Sequence, residues 1–194
     1  MMTPLLFNLK NKKILVVGGG KVAARRIGTI LENGAQVIAV SPDFCEAIIR
    51  IENSQLTLIN AGYHKEQLAD IDLAVAATDN RDLNGQIKTD CQSKKIWCNR
   101  VDDPEDSDFI FPSVIRRGDL TLSVCTEGAS PFLTKQIVDE LADRFDDSYT
   151  EKTALLRLLR QAVLAGDSAP NEKTAELKAL SRCSNAELRS KLGK

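Results

Sequence analysis

Three consecutive glycines follow an aliphatic run near the start of the chain, and they form the first pattern that could carry chemistry. Within them, Gly18-x-Gly20-x-x-Ala23 has the spacing of a turn that admits a pyrophosphate to the backbone and packs a helix on a strand. Amides at the start of such a helix bind phosphate. Glycine turns after strands also arise for steric reasons alone, but the flanking strand and helix patterns favour a dinucleotide site.

Five carboxylates are concentrated in the seven residues that begin at Asp102. A charge run of this kind is usually a solvated loop. Asp102, however, directly follows a predicted strand of the same sheet as the glycine turn, so it is expected to open onto the same crevice. A carboxylate held near a nicotinamide can take up a proton as hydride leaves. Asp102 is therefore the candidate acid/base residue.

Two further strand ends bring polar residues to the same edge. Asp43 follows the second predicted strand, where an acid binds the adenosine ribose in dinucleotide sites. It fits equally well as a first-turn acid of a helix that Ser41 caps, Pro42 begins and residue 52 ends. No arginine lies beside Ser41 to pair with a 2′-phosphate, which favours NAD over NADP. Thr78 follows the fourth predicted strand, where it either faces a ligand or caps the next helix.

Strand and helix patterns alternate through the first half of the chain, and this alternation predicts a parallel sheet with crossover helices. After residue 109 the pattern changes to two apolar segments around a turn at residues 116–119, which predicts an antiparallel hairpin and a domain boundary near residue 112. The predicted strands are residues 13–17, 36–40, 56–59, 73–77 and 96–101, with a short helical piece at 66–69 and a helix at 82–93.

The remaining residues have helical patterns. Ser130 is predicted to cap a helix that Pro131 begins. Ser148 and Glu151 form a capping box that opens a helix to residue 165. The broad apolar face of that helix indicates packing or subunit contact. Two shorter helices follow, the second begun by Ser184.

The overall composition excludes several classes of partner. A formal net charge of −1 and a pI near 5.9 argue against nucleic acid or an anionic membrane as the main partner. No apolar run approaches the ~20 residues that span a bilayer, so we expect a cytoplasmic protein. The five cysteines contain no C-x-x-C pair, and nothing near the single histidine, His64, has metal-ligand spacing. No metal site is predicted.

Taken together, the motifs resemble those of the dehydrogenase module of the siroheme synthase family, which comprises precorrin-2 dehydrogenases with or without sirohydrochlorin ferrochelatase activity. They keep their order over about residues 4–145. They are Pro4-Leu-Leu-Phe-Asn-Leu-Lys10, Val17-Gly-Gly-Gly-Lys-Val-Ala-Ala-Arg-Arg26, Ala76-Ala-Thr-Asp79, Cys98-Asn-Arg-Val-Asp102-Asp-Pro104, Phe109-Ile-Phe-Pro-Ser113 and Thr126-Glu-Gly-Ala-Ser-Pro131.

The resemblance implies an α/β fold: a Rossmann-type parallel sheet that binds NAD over residues 1–112, a small α+β dimerisation region over 113–147 and a helical region over 148–194. It implies a homodimer, with Asp102 as the acid/base residue. Thr126 stands where a bifunctional relative has a serine in the dimerising segment. The resemblance also implies nucleotide contacts at Lys21, Val22, Pro42 and Asp43. The patterns above add Gly18, Gly20 and Thr78 as further candidate contacts of the nucleotide.

The resulting hypothesis is NAD-dependent oxidation of precorrin-2 to sirohydrochlorin. Because the substrate carries eight carboxylates, cations must lie nearby; the candidates are Arg100, Arg116, Arg117 and Lys135. Insertion of Fe²⁺ as a second substrate, with Asp102 accepting pyrrole protons, is the further activity of bifunctional members. The alternative from another class is a non-catalytic NAD-sensing regulatory module, which explains the glycine turn but does not require Asp102 at the crevice.

Overall fold

A computed structural model describes residues 2–193. The chain divides into two compact units, one ending at Phe111 and the other beginning at Pro112. The predicted dimerisation and helical regions, 113–147 and 148–194, both fall within the second unit, and their separate roles stay predictions. None of the helices in the described part of the chain is long and apolar enough to cross a membrane.

The first unit is a five-stranded parallel sheet in the order β3-β2-β1-β4-β5. This confirms the predicted α/β fold. The strands are β1 (Lys13–Val17), β2 (Gln36–Ser41), β3 (Leu56–Asn60), β4 (Leu73–Ala76) and β5 (Trp97–Arg100). The helices are α1 (Lys21–Glu32), α2 (Glu46–Ile49), α3 (Arg81–Ser93) and a 3₁₀ turn at Lys65–Leu68.

The central strand β1 is buried on both faces, which explains why its sequence is continuously aliphatic rather than alternating. Ile14 and Val16 pack with α1 in one apolar cluster. Leu15 and Val17 pack with α3 in a second cluster on the opposite face. The sheet therefore has a helical layer on each side, and its strand ends are left to form the site.

The helix predicted to begin at Pro42 and to run to residue 52 is wrong. Ser41 is the last residue of β2 and pairs with Asn60 of β3, and α2 covers only Glu46–Ile49. The backbone amide of Cys45 donates a hydrogen bond to the carbonyl of Gly19 at 2.8 Å. This contact ties residues 42–44 to the glycine turn and keeps them out of a helix.

The second unit begins with the antiparallel hairpin of β6 (Ser113–Arg117) and β7 (Leu120–Val124), which confirms the predicted hairpin. Four helices follow: α4 (Pro131–Arg144), α5 (Ser148–Ala165), α6 (Pro170–Leu180) and α7 (Asn185–Lys191). The buried apolar core of α5, α6 and α7 consists of Leu155, Leu159, Leu180 and Leu188, and α4 contributes no buried residue to it.

The predicted helix caps of this unit have mixed outcomes. Ser130 accepts a hydrogen bond from the amide of Leu133 at 3.2 Å, and a capping box opens α7 at Ser184, as predicted. The capping box predicted at Ser148 is wrong, because Asp147 is the N-cap residue and Ser148 already lies inside α5. Its predicted partner, Glu151, instead accepts hydrogen bonds from Arg189 of α7.

The glycine turn gives a direct test of the packing of the first unit. A Cβ atom at Gly19 would lie 1.8 Å from the carbonyl oxygen of Asp43, whereas one at Gly20 would meet no atom within 4 Å. We expect Gly19→Ala to lower the free energy of unfolding by about 1–3 kcal/mol or more, because backbone atoms must move. Gly20→Ala should cost at most about 1 kcal/mol. Urea denaturation of both variants checks this, and equal losses would contradict it.

Candidate active site

Gly18 brings the ends of three strands together. It adopts a left-handed φ of +132°, and its amide donates to the carbonyl of Val40 at 2.9 Å. A Cβ atom here would lie 2.3 Å from the carbonyl oxygen of Ala77. Because β1 lies between β2 and β4, the turn opens at the point where the strand order reverses, which is where open α/β sheets bind ligands.

Gly20 leaves the start of α1 open. It is the N-cap residue in an extended conformation, no side chain caps it, and the first turn of the helix contains no acid. The next two residues, Lys21 and Val22, are exposed. Uncapped amides with no acid beside them and open space over Gly20 suit the pyrophosphate of a dinucleotide.

Gly19 is a site residue that sequence reasoning missed, because the motif leaves its position unspecified. Its backbone packs against that of Asp43, so residues 42 and 43 lie beside the turn. Both Pro42 and Asp43 are exposed. Since no helix begins at Pro42, Asp43 is not a first-turn acid, and ribose binding by Asp43 stays a prediction.

Thr78 is joined to Asp102 through a residue of α3 that the sequence did not single out. The Thr78 hydroxyl donates to Asn84 Oδ1 at 2.7 Å, and Asn84 Nδ2 donates to Asp102 Oδ1 at 3.0 Å. Thr78 does not cap α3, because the side chain of Asn80 accepts from the first-turn amides there. Thr78 and Asp102 therefore lie on one network at neighbouring strand ends.

Asp102 is held in its ionised form by the cations around it. Arg100 Nη2 donates to Asp102 Oδ2 at 2.8 Å, and Arg81 Nε lies 3.5 Å from the same oxygen. Partial burial raises the pKa of the Asp102 carboxyl. Hydrogen bonds from Arg100, the backbone amide and Asn84, with the charge of Arg100, outweigh burial and hold the pKa below its ordinary value of 3.8.

Arg100 was predicted to bind substrate, but in this structure it contacts carboxylates of the protein. Besides Asp102, it donates to Asp106 at 2.8 Å and lies 4.0 Å from Asp103. Hydrogen bonds with Asp102 and Asp106 raise the pKa of its guanidinium despite partial desolvation. Arg81 is 73% exposed at the start of α3, and it is a second cation at Asp102 that sequence reasoning missed.

The other predicted substrate cations, Arg116, Arg117 and Lys135, lie in the second unit. Arg117 forms an ion pair with Asp147 at 3.1 Å, and Lys135 is exposed on α4. Their contact with substrate stays a prediction. The described residues contain no group of three or more His, Cys, Asp or Glu that could hold a metal ion.

The first part of the chain matches a known family of nucleotide-binding proteins. A profile of the family described as "Putative NAD(P)-binding" matches residues 5–113, more than half of the chain. With the sheet order and the open glycine turn, this match assigns the chain to that nucleotide-binding family.

The chain is also similar to two precorrin-2 dehydrogenases and to a siroheme synthase. The chain is 32% identical to the precorrin-2 dehydrogenase of Priestia megaterium over 180 residues, which is 91% of this chain and 89% of that protein. The solved structure of SirC, a precorrin-2 dehydrogenase, matches with a TM-score of 0.83 and 30% identity, covering 99% of this chain and 98% of SirC. The chain is 34% identical to the siroheme synthase of Pseudoalteromonas translucida over 139 residues, 71% of this chain and 29% of that protein.

The chain belongs to the precorrin-2 dehydrogenase and siroheme synthase family, which confirms the resemblance inferred from its motifs. It spans between 29% and 36% of the length of five siroheme synthases that it matches.

The ionised state of Asp102 is testable by carboxyl NMR. We expect Arg100→Gln to raise the pKa of Asp102, because the charge and the 2.8 Å hydrogen bond are both removed. Arg50→Gln, which breaks an exposed ion pair with Glu46, is the control and should leave that pKa unchanged. Because the folded-state pKa is depressed, the stability contributed by Asp102 is present above the ordinary carboxyl pKa of 3.8 and is lost as pH falls through the lower folded-state pKa. An unchanged titration of Asp102 in Arg100→Gln would contradict the assignment.

Proposed function

We propose that this protein oxidises precorrin-2 to sirohydrochlorin with NAD⁺ as the electron acceptor. The observation that carries the proposal is the position of the Asp102 carboxylate, which is tied through Asn84 to Thr78 at the strand ends beside the glycine turn. Two relatives that match most of this chain are named precorrin-2 dehydrogenase. A nucleotide-binding role alone does not require a carboxylate at that edge of the sheet.

The residues of the chain divide the work of the reaction. The backbone at Gly18 and Gly20 and the amides of Lys21 and Val22 would hold the pyrophosphate of NAD⁺. NAD⁺, when bound, supplies the hydride acceptor. Asp102, ionised before the reaction, accepts the proton that the substrate loses and passes it to solvent. The substrate thus loses two electrons and two protons: one proton leaves with both electrons as hydride, and the other goes to Asp102.

The substrate carboxylates require cations near Asp102. Arg81 is exposed and lies 3.5 Å from Asp102, so it is the side chain of the first unit best placed to meet a carboxylate there. Arg100 balances Asp102 and Asp106 and acts mainly within the protein. Arg116, Arg117 and Lys135 of the second unit remain the proposed contacts for the other carboxylates.

The cofactor is proposed to be NAD rather than NADP. Asp43 is exposed beside Gly19, where its carboxylate would accept hydrogen bonds from ribose hydroxyls and would repel a 2′-phosphate. The proposed location is the cytoplasm, which the five free cysteines support.

Insertion of Fe²⁺ into sirohydrochlorin is the second reaction proposed for this site, with the metal as substrate. Asp102 then accepts the two pyrrole N–H protons one after the other and passes each to solvent, and the tetrapyrrole supplies the nitrogen ligands. Adding Fe²⁺ after the oxidation is complete and following the absorption spectrum tests this reaction separately from dehydrogenation.

The second unit is proposed to form a homodimer. In α4, every side chain retains some exposure to solvent, and Phe132 is 87% and Leu133 47% exposed. Val114 of the adjoining hairpin is also exposed. A helix and hairpin with so much uncovered apolar surface favour contact with a second copy of the chain.

The role of Asp102 is tested by charge removal within one loop. We expect Asp102→Asn to lower kcat for NADH formation by about 10²–10⁴-fold, because the proton acceptor is lost. Glu105→Gln removes the same charge from an exposed position of the same loop and should retain wild-type turnover. Equal activity of Asp102→Asn and wild type would remove Asp102 from the mechanism, and NAD binding without turnover in wild type would favour the sensor alternative.

The proposed dimer is tested by sedimentation. Phe132→Glu should convert the dimer to monomer, because a charge would be buried at the contact. Leu6→Glu changes an equally exposed apolar residue of the first unit and should leave the dimer intact. A monomeric wild-type protein, or a dimer that persists in Phe132→Glu, would contradict the proposed interface.

A further inference from the structure

Asn84 uses the full hydrogen-bonding capacity of its amide between two loops of the site. Its side chain is 0% exposed. Oδ1 accepts from the backbone amide of Thr78 at 3.2 Å and from its hydroxyl at 2.7 Å. Nδ2 donates to the Thr78 carbonyl at 3.1 Å and to Asp102 Oδ1 at 3.0 Å. A side-chain amide has two donor hydrogens and two acceptor lone pairs, so none remains for another partner.

Helix α3, which carries Asn84, is joined to the loop that contains Asp102 by a second contact. One turn after Asn84, the buried Lys88 forms an ion pair with Asp108 at 2.5 Å. The other Asp108 oxygen accepts from the backbone amide of Cys98 in β5 at 2.8 Å. The helix therefore holds both ends of the carboxylate loop, Asp102 through Asn84 and Asp108 through Lys88.

We propose that Asn84 is a positioning residue that fixes Asp102, as a carboxylate, relative to the Thr78 loop of the nucleotide site. The inference rests on the proposed function for its catalytic consequence, because it gives Asn84 no contact with substrate. Its structural part concerns only the chain's own residues. One rigid amide sets the separation between the loop that lines the nucleotide site and the carboxylate that accepts the proton.

The charged groups around Asp102 leave a role for the neutral Asn84 amide as a hydrogen-bond donor to its carboxylate. Arg81 of α3 and Arg100 of β5 are the cations that face it, and Asp103 and Asp106 of its own loop share Arg100. The positive charge of Arg100 is therefore shared among several carboxylates and does not act on Asp102 alone. At Oδ1, the Asn84 bond of 3.0 Å is shorter than the 3.4 Å contact from Arg100 Nε, so the amide lies closer to that oxygen than the guanidinium nitrogen does.

Asn84→Asp tests the donor side of the amide, because it replaces only the NH₂ group with an oxygen. The variant keeps an oxygen for the Thr78 amide and hydroxyl but places a second carboxylate oxygen against Asp102. Two carboxylates at this distance share a proton, which raises the apparent pKa of the pair. We expect kcat/KM to fall about tenfold from pH 8 to pH 6, while the wild-type value changes less than about twofold over that range. The KM for NAD should stay within about twofold, because the oxygen that accepts from the Thr78 amide and hydroxyl remains, although the donor to the Thr78 carbonyl is lost.

Carboxyl NMR of Asp102 in the protein without nucleotide gives a readout independent of turnover. The pKa of Asp102 should rise in Asn84→Asp and should match wild type in Gln92→Glu, which adds the same charge at an exposed position of α3. If Asn84→Asp does not fold, Asn84→Ala removes the donor without adding charge and should also raise that pKa.

The two proposals fail in different ways. Wild-type protein that does not oxidise precorrin-2 overturns the proposed function, while the NMR comparison still tests Asn84. A folded Asn84 variant in which the pKa of Asp102 equals that of wild type reduces Asn84 to a structural contact and overturns this inference.

Discussion

At the glycine turn, backbone atoms approach one another more closely than any side chain would permit, and the site depends on this approach. Gly18 lies against the carbonyl of Ala77, and Gly19 lies against that of Asp43. Hydrogen bonds to Val40 and from Cys45 satisfy the polar groups that these contacts bury. The ends of β1, β2 and β4 are thereby brought to one place, and the start of α1 is left uncapped for a phosphate.

A second layer of contacts sets the charge of the site. Arg100 balances three carboxylates of the loop after β5, and the buried Lys88 balances a fourth. The hydrogen bonds and the charge of Arg100, with the bond from Asn84, lower the pKa of Asp102 and keep it ionised at a partly buried position. Proton acceptance requires that form of the side chain, and an amide from α3 fixes its position.

Much of this could be predicted from the sequence, because the relevant signals were local. The aliphatic runs predicted all five parallel strands, and Asp102 was located from its place after β5. The features that the sequence did not predict depend on contacts between residues that are distant in the chain. Pro42 looked like a helix start, but the contact between Cys45 and Gly19 prevents it. Asn84 lies inside an ordinary amphipathic helix, so only the folded structure shows that its amide meets both Thr78 and Asp102. The pairing of Arg100 with three carboxylates likewise required the loop to be in place.

In the proposed function, the nucleotide turn and Asp102 belong to one oxidising site. Such a site should form NADH when the purified wild-type protein is mixed with precorrin-2 and NAD⁺ in the absence of metal. We expect one NADH for each precorrin-2 consumed, with sirohydrochlorin as the product. Stoichiometric binding of NAD⁺ with no NADH formed and no change in the tetrapyrrole spectrum would contradict it.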